Sequence, residues 1–359
     1  MTKKRIGFLS YWGWARGQSY LTLCYAKMLK DEYDVYIFKQ GDNKIAPEFK
    51  AVDVNVTEYP KYVVDKEVFK SWVKENKLDA VIFNEYNQWG NDGQNLVAEA
   101  KALGAKAYGW LVLEKLGDAE DYKDYDSLIA STVTHTRVLR RIKARNFTYI
   151  PYSIDLTEFP DVNTKDERDE KKPFTFFHPG GYLGVRERKN TKAVIEGFMK
   201  LNNENTKLVI TTQQKINMAA PQDNIVIIEE DLPRDELLKL YREADAVVLP
   251  SKWETIGLPI LESLASGIPV ITTNTPPMNE FVKEGLNGYL CKTMVVRYPE
   301  IFVPVAEVSA DEIKNKMENM LNPMLHSILK NNTRKGIEKL YDLEKNKKYF
   351  LDFLRGELK

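Results

Sequence analysis

The chain has 359 residues, 43% of them apolar, which is longer than one domain usually runs and enough to fill ordinary cores, so two domains are expected. Lys plus Arg equals Asp plus Glu at 52 each, so no global charge points to nucleic acid or to an anionic surface, although local basic patches remain open. Cys24 and Cys291 lie far apart and suit reduced, buried thiols better than a disulfide framework or a zinc site.

The N-terminal stretch MTKKRIGFLSYWGWARG puts basic residues ahead of an apolar run of about six, too short for the apolar core of a signal peptide. No segment approaches the roughly 20 apolar residues that span a bilayer. A soluble, cytoplasmic protein is expected, one that could still work at a membrane surface.

In chain order, the apolar runs at 5–10, 34–39, 79–84, 107–113 and 127–131 read as buried strands. Helical spacing at 20–29, 68–73 and 96–103 separates several of them. Strands apolar throughout and alternating with helices indicate a parallel sheet covered on both faces. Residues 161–173, DVNTKDERDEKKP, carry almost nothing apolar and read as a linker between a first domain over 1–160 and a second over 174–332. Past the linker, strands are expected at 174–178, 207–212, 224–229, 246–250 and 269–273, with helices near 190–201 and 234–243. The tail, 333–359, mixes Ile337, Leu340, Tyr341, Tyr349, Phe350, Phe353 and Leu354 with many charges and reads as a surface helix, one that could pack back on the first domain. The fold class is α/β: two doubly wound, Rossmann-like domains facing across a cleft.

In such sheets ligands bind beyond the carboxyl ends of the strands, so the loops after strands hold the candidate chemistry. By architecture alone an enzyme and a non-catalytic binder are about equally supported. The stretch SKWETIGLPILESLASGIPVITT, 251–273, places a loop after a strand, then a helix beginning near Gly257 or Leu258. The unpaired amides and dipole of that first turn favour an anion such as a diphosphate. Gly257 lets the backbone approach closely, and Pro259 sits where its missing amide hydrogen costs nothing. Glu254 in the loop is free to accept from sugar hydroxyls, and Glu262, a turn into the helix, from the paired hydroxyls of a ribose; the amides near Ile256, Gly257 and Leu258 face the diphosphate, and Thr255 is a further donor-binding candidate. For two acids in isolation, a helix cap at Glu254 and a solvated Glu262 would be the ordinary reading.

Around these acids the sequence resembles the donor-binding region of glycosyltransferases with the GT-B fold, of the retaining family-4 type (glycosyl transferases group 1). The resemblance runs from LYREADAVVLPS (240–251) through Glu-x7-Glu with an internal Gly-Leu-Pro and ASGIPVITT (265–273) to EFVKEGLNGYL (280–290). It extends more faintly to YIPYSIDLTEFP (149–160) and to HPGGYLGVRERKNTKAVIEGF (178–198). It implies transfer of a sugar from a UDP- or GDP-linked donor to an acceptor hydroxyl with retention, the nucleotide sugar being a substrate, without a cofactor or a metal. Lys189 then neutralises the diphosphate near Gly181, with Arg186 or Arg188 in place of the family's arginine, where this chain has Tyr182. Glu230, with Gln213 and Gln214, is a candidate for reading the base.

On the first domain the loop SYWGWARGQSY combines Gly13 and Gly17 with Trp12, Trp14 and Arg16 at the opening of a helix; exposed indoles stack well on sugar rings or bases, and ordinary packing between helices is the equal alternative for each tryptophan. These residues, with Glu85 and Tyr86 at the next strand end, are the acceptor-binding candidates. The family often carries a histidine beside the reacting centre; none of His135, His178 and His326 clearly takes that place, and Glu114 is the candidate to stand there instead. Catalytic candidates are therefore Glu254, Lys189 and Glu114. His135 reads as a helix surface residue. A glycan or glycolipid acceptor is expected, with no obligate protein partner. A nucleobase acceptor in DNA or RNA, or contact with a membrane, is kept open by Arg137, Arg140, Arg141, Lys143 and Arg145, and a non-catalytic sugar-nucleotide binder by the missing histidine.

Overall fold

The computed structural model describes residues 2–14, 16–85, 94–112, 122–159, 171–182, 187–216, 222–296 and 303–359. The chain divides into two units, residues 1–153 with 343–359, and residues 154–342. Most of the expected linker, 161–170 of 161–173, lies outside the described residues.

The five apolar runs of the first half each contain a strand: β1 (Arg5–Ser10), β2 (Asp34–Gln40), β4 (Ala80–Asn84), β5 (Lys106–Trp110) and β6 (Ser127–Ala130). Two strands were not expected, β3 (Asn55–Tyr59) and β7 (Phe147–Tyr149). All seven run parallel in the order β3-β2-β1-β4-β5-β6-β7. Helices α1 (Gly17–Leu29), α3 (Lys66–Glu75), α4 (Leu96–Ala102) and α5 (Val133–Arg141) connect them, with a short α2 (Pro47–Lys50) before β3. The apolar spacing of α3 buries Phe69, Trp72 and Val73, and Asp65 caps its start by accepting from the Glu67 and Val68 amides. Phe69 and Trp72 meet Phe38 of β2, the two ring pairs edge to face, and Phe69 also meets Phe83 of β4.

The second unit repeats the plan. Strands β8 (Phe174–Gly181), β9 (Thr206–Thr212), β10 (Ile225–Ile228), β11 (Ala246–Leu249), β12 (Val270–Thr273) and β13 (Gly288–Cys291) form a parallel sheet in the order β10-β9-β8-β11-β12-β13. Helices α6 (Thr191–Leu201), α7 (Arg234–Glu243), α8 (Leu258–Ala265) and α9 (Met278–Phe281) alternate with the strands. A small antiparallel hairpin, β14 (Met294–Val296) with β15 (Val305–Glu307), follows. Phe176, Val194, Phe198, Leu208, Ile271 and Met317 are among the residues of its core.

The chain ends in three helices: α10 (Ala310–Met320), α11 (Pro323–Leu340) and α12 (Leu343–Glu357). Helix α11 runs through residue 333 without a break because Leu329, Thr333 and Ile337 continue one buried face. The surface helix expected over 333–359 is thus parts of two helices, and they belong to different units. Helix α12 packs in the first unit, Phe350 edge-on to Tyr25 of α1 with ring centres 4.8 Å apart and Phe353 to Tyr108 of β5 at 5.0 Å. Asn346 donates to the Ser153 hydroxyl at 3.0 Å. Both cysteines are buried thiols, not joined in a disulfide.

Candidate donor site in the second unit

The strand order of the second unit reverses between β8 and β11, the place where ligands bind in sheets of this kind. The loop after β8 carries Arg188 and Lys189; the loop after β11 carries Glu254. They meet: Lys189 Nζ donates to Glu254 Oε1 at 2.6 Å and Arg188 Nη1 to Oε2 at 2.6 Å. Lys252 N–H donates to Arg188 O at 2.8 Å, so the two loops are also joined through their backbones. The Glu254 side chain is not free in the loop but buried in an ion-paired triad of net charge +1. Burial would raise its carboxyl pKa; the charges of Arg188 and Lys189 outweigh that and hold it at about 2. It makes no cap hydrogen bond to α8.

Three residues on, Gly257 is the N-cap of α8 with φ +87°, in the left-handed region that favours glycine. No side chain caps α8, and Pro259 lies in its first turn. Thr255 and Ile256 are buried beside it, and Leu258 is its first residue. The helix thus begins directly after the triad with first-turn amides that no side chain serves.

Glu262, one turn into α8, is buried rather than solvated, at 2% exposure. Arg234 Nη1 donates to its Oε1, and the Tyr241 hydroxyl to its Oε2 at 3.1 Å. Arg234 also lies 3.5 Å from Glu158 and over the Phe159 ring at 5.6 Å. Sequence reasoning passed over Arg234 and Tyr241; their spacing of seven on an amphipathic helix was the signal that both face one way. His178, buried at the end of β8, contacts Val248 O through Nδ1 at 2.7 Å and the Thr191 hydroxyl through Nε2 at 2.8 Å. It ties β8 to β11 and to the start of α6, just past Lys189. Burial pushes its pKa down to about 4, so the ring is neutral.

Gly181 ends β8 with φ +51° and open space around it. Glu230 is exposed, and Gln213 donates to Asp231. Arg186, Glu114 and Tyr86 lie outside the described residues.

In the first unit the strand order reverses between β1 and β4. Trp12, in the loop after β1, is fully buried with its ring edge-on to Phe49 of α2 at 5.0 Å; this corrects the expectation of an exposed indole. Gly13 has φ +86°, and a side chain there would meet the Ile45 backbone at 2.6 Å, so the loop shape alone requires glycine. Trp14 is half-buried, with the Arg16 guanidinium stacked 3.8 Å from its ring centre. Gly17 opens α1 and is exposed. Glu85, at the end of β4, has φ +58°, and the Gln18 amide lies against its carboxylate. His135 is also a correction: it is fully buried on the inner face of α5 beside Trp110, and burial pushes its pKa down to about 3.

Residues 165–297 match the family model described as glycosyl transferases group 1. The matched residues fall in the second unit. Among curated relatives, an uncharacterized glycosyltransferase 335 of Sulfolobus islandicus rod-shaped virus 1 is 27% identical over 147 residues, 39% of this chain and 43% of that one. A glycogen synthase of Mycobacterium tuberculosis is 45% identical over 60 residues, 17% and 14% of the two chains. The chain therefore spans less than half the length of these curated relatives. Among solved structures, a glycosyltransferase from Rickettsia africae ESF-5 superposes with a TM-score of 0.77 at 16% identity, covering both chains fully. HepE of Anabaena, in complex with UDP-glucose, gives a TM-score of 0.72 at 13% identity over 98% of this chain and 99% of that one. At such identities the likeness concerns the fold, which is that of the GT-B glycosyltransferases: two Rossmann-like parallel-sheet domains. Among the described residues no group of His, Cys, Asp and Glu is placed to hold a metal ion, and no helix is long and apolar enough to cross a membrane.

Proposed function

We propose that the protein transfers a sugar from a UDP- or GDP-linked donor to a hydroxyl of a glycan or glycolipid, with retention at the anomeric carbon and with no cofactor or metal. The observation that carries this reading is the Arg188–Lys189–Glu254 triad beside the side-chain-uncapped start of α8, at the strand-order reversal of a group 1 domain. Two cations and unserved amides aimed at one place form a preorganised electrostatic site for a diphosphate leaving group. Glu254 has a double role in this reading. It fixes both cations, and its remaining lone pairs accept from sugar hydroxyls. Glu262, held by Arg234 and Tyr241, accepts from the ribose.

In the chemical step the bond between the anomeric carbon and the phosphate oxygen breaks, and a bond to the acceptor oxygen forms on the same face. The acceptor proton passes to an oxygen of the departing nucleoside diphosphate, so no protein base is needed. Trp14, Arg16 and Glu85 of the first unit are the acceptor contacts in this reading. Arg186, Glu114 and Tyr86 keep the roles the resemblance implies, and Glu230 that of reading the base. The ligands of similar structures support a uridine donor: UDP and glucose or UDP-glucose in HepE, UDP and GlcNAc in a pneumococcal O-GlcNAc transferase.

Calorimetric titration with UDP, GDP and their sugars tests the division of labour. Glu262→Ala weakens nucleotide binding by about 1.5–3 kcal/mol, the worth of a hydrogen bond to a charged group. Glu254→Ala mainly lowers turnover and sugar discrimination. Unchanged affinity and rate in both variants would remove the assignment.

A further inference from the structure

The first unit carries a surface charge that no described acid neutralises. Between Asp126 and Asp155 the sequence has no acidic residue, yet it holds Arg137, Arg140, Arg141, Lys143 and Arg145. Helix α5 sorts them. Thr134, His135, Val138 and Leu139 are buried, which leaves Val133, Arg137, Arg140 and Arg141 exposed at the spacing i, i+4, i+7, i+8 of one helix face. Lys143 and Arg145 are exposed in the turn that follows. That turn leads into β7, the edge strand of the sheet, where Tyr149 is 43% exposed.

Some exposed cations elsewhere find acids, as in Lys200 with Asp311 and Arg355 with Glu32. None of these five does so among the described residues. The Arg140 guanidinium lies over the Phe147 ring at 5.8 Å, which orients it without reducing its charge. Five positive charges thus stand on one side of a chain whose formal net charge is +0.

We propose that this face, α5 with the turn to β7, docks the protein on an anionic lipid bilayer. The cations supply attraction to headgroup phosphates and carboxylates, which acts within a Debye length of the surface. Two exposed apolar side chains set a bilayer apart from a nucleic acid. Val133, 44% exposed, opens the basic face and Tyr149 stands on the neighbouring strand; both gain by entering the headgroup boundary, whereas a phosphodiester backbone offers an exposed valine nothing. The inference does not depend on the donor chemistry proposed above.

The test is co-sedimentation of the full chain with vesicles of phosphatidylcholine alone and of phosphatidylcholine with phosphatidylserine in equal parts, at low and high salt. Binding is expected only to the anionic vesicles and is released by salt. Each cation near such a surface contributes roughly fivefold to the partition coefficient, so Arg137→Ala with Arg140→Ala and Arg141→Ala lowers it about a hundredfold. Val133→Ser lowers vesicle binding but leaves binding to polyphosphate unchanged. Melting temperature and UDP titration, unchanged in the variants, establish that they fold. Equal binding to neutral vesicles, full binding by the triple variant, or binding to a DNA duplex or single-stranded RNA without binding to anionic vesicles each overturns the proposal.

Discussion

Arg234 and Glu262 form a buried ion pair across two helices, and Tyr241, seven residues along the same helix as Arg234, holds the second oxygen of the same carboxylate. One face of α7 therefore fixes the whole orientation of an acid on α8. Removing one member of a buried pair leaves a charge without compensation and costs about 3–5 kcal/mol. Arg234→Ala is accordingly expected to lower unfolding stability by that amount, and the double variant with Glu262→Ala to recover part of it. Urea denaturation of the three variants, read as a double-mutant cycle, measures the coupling. Additive losses would show that the pair contributes nothing.

Lys189 is nearly as buried as the acid it serves. In the donor reading, Lys189→Ala removes a preorganised charge from the leaving group, and losing one such donor costs about a hundredfold or more in kcat. KM for the nucleotide sugar should change far less. Steady-state kinetics with the accepted donor decides; a change confined to KM would make Lys189 a binding residue only.

Three buried groups make the protein acid-sensitive in the same direction. His135 and His178 have pKa values near 3 and 4, below their ordinary value near 6.5, because burial disfavours the charged ring. The unfolded chain takes up those protons first, so the stability they contribute is complete above pH 6.5 and is lost as pH falls toward 4 and then 3. Each shift corresponds to about 3 kcal/mol or more. Glu254, held at about 2, adds a loss that begins as pH falls below its unfolded value near 4.5. Urea midpoints should thus fall steadily from pH 6.5 to 4, and His178→Gln, though less stable at neutral pH, should show a shallower fall. A flat profile would mean that neither ring is held neutral.

The two tryptophans of the β1 loop are expected to part company. Trp12→Ala empties a fully buried site and costs about 3–5 kcal/mol. Trp14→Ala removes a half-buried ring under Arg16 and changes stability little, while raising KM for the acceptor. Thermal melts beside acceptor titrations separate them, and equal destabilisation by both would make Trp14 a packing residue.

The sequence showed the buried strands clearly because in a sheet covered on both faces nearly every side chain of the run is apolar. Strand β3 escaped because four of its five side chains are exposed and the fifth only half-buried, so no apolar period marks it. In the site, Glu254 and the start of α8 were legible from local order: strand, loop, Gly, Pro, helix; Lys189 came from the family resemblance alone. Their pairing was not, since Lys189 and Glu254 stand 65 residues apart and meet only because the sheet order reverses between β8 and β11. Arg234 looked like an ordinary first-turn residue of an amphipathic helix for the same reason. Trp12 misled because the composition of its loop suggests exposure, and only the placement of Phe49 in a short helix decides otherwise.

Helix α12 gives the molecule an order of manufacture. The first unit is built from both ends of the chain, and Phe350, Leu351 and Leu354 cover it only after the whole second unit has been translated. A nascent chain leaving the ribosome must carry an uncovered apolar flank through most of synthesis, which exposes it to aggregation and to chaperones. Premature termination before Leu343 would yield a protein with its second unit entire and its first left unsealed.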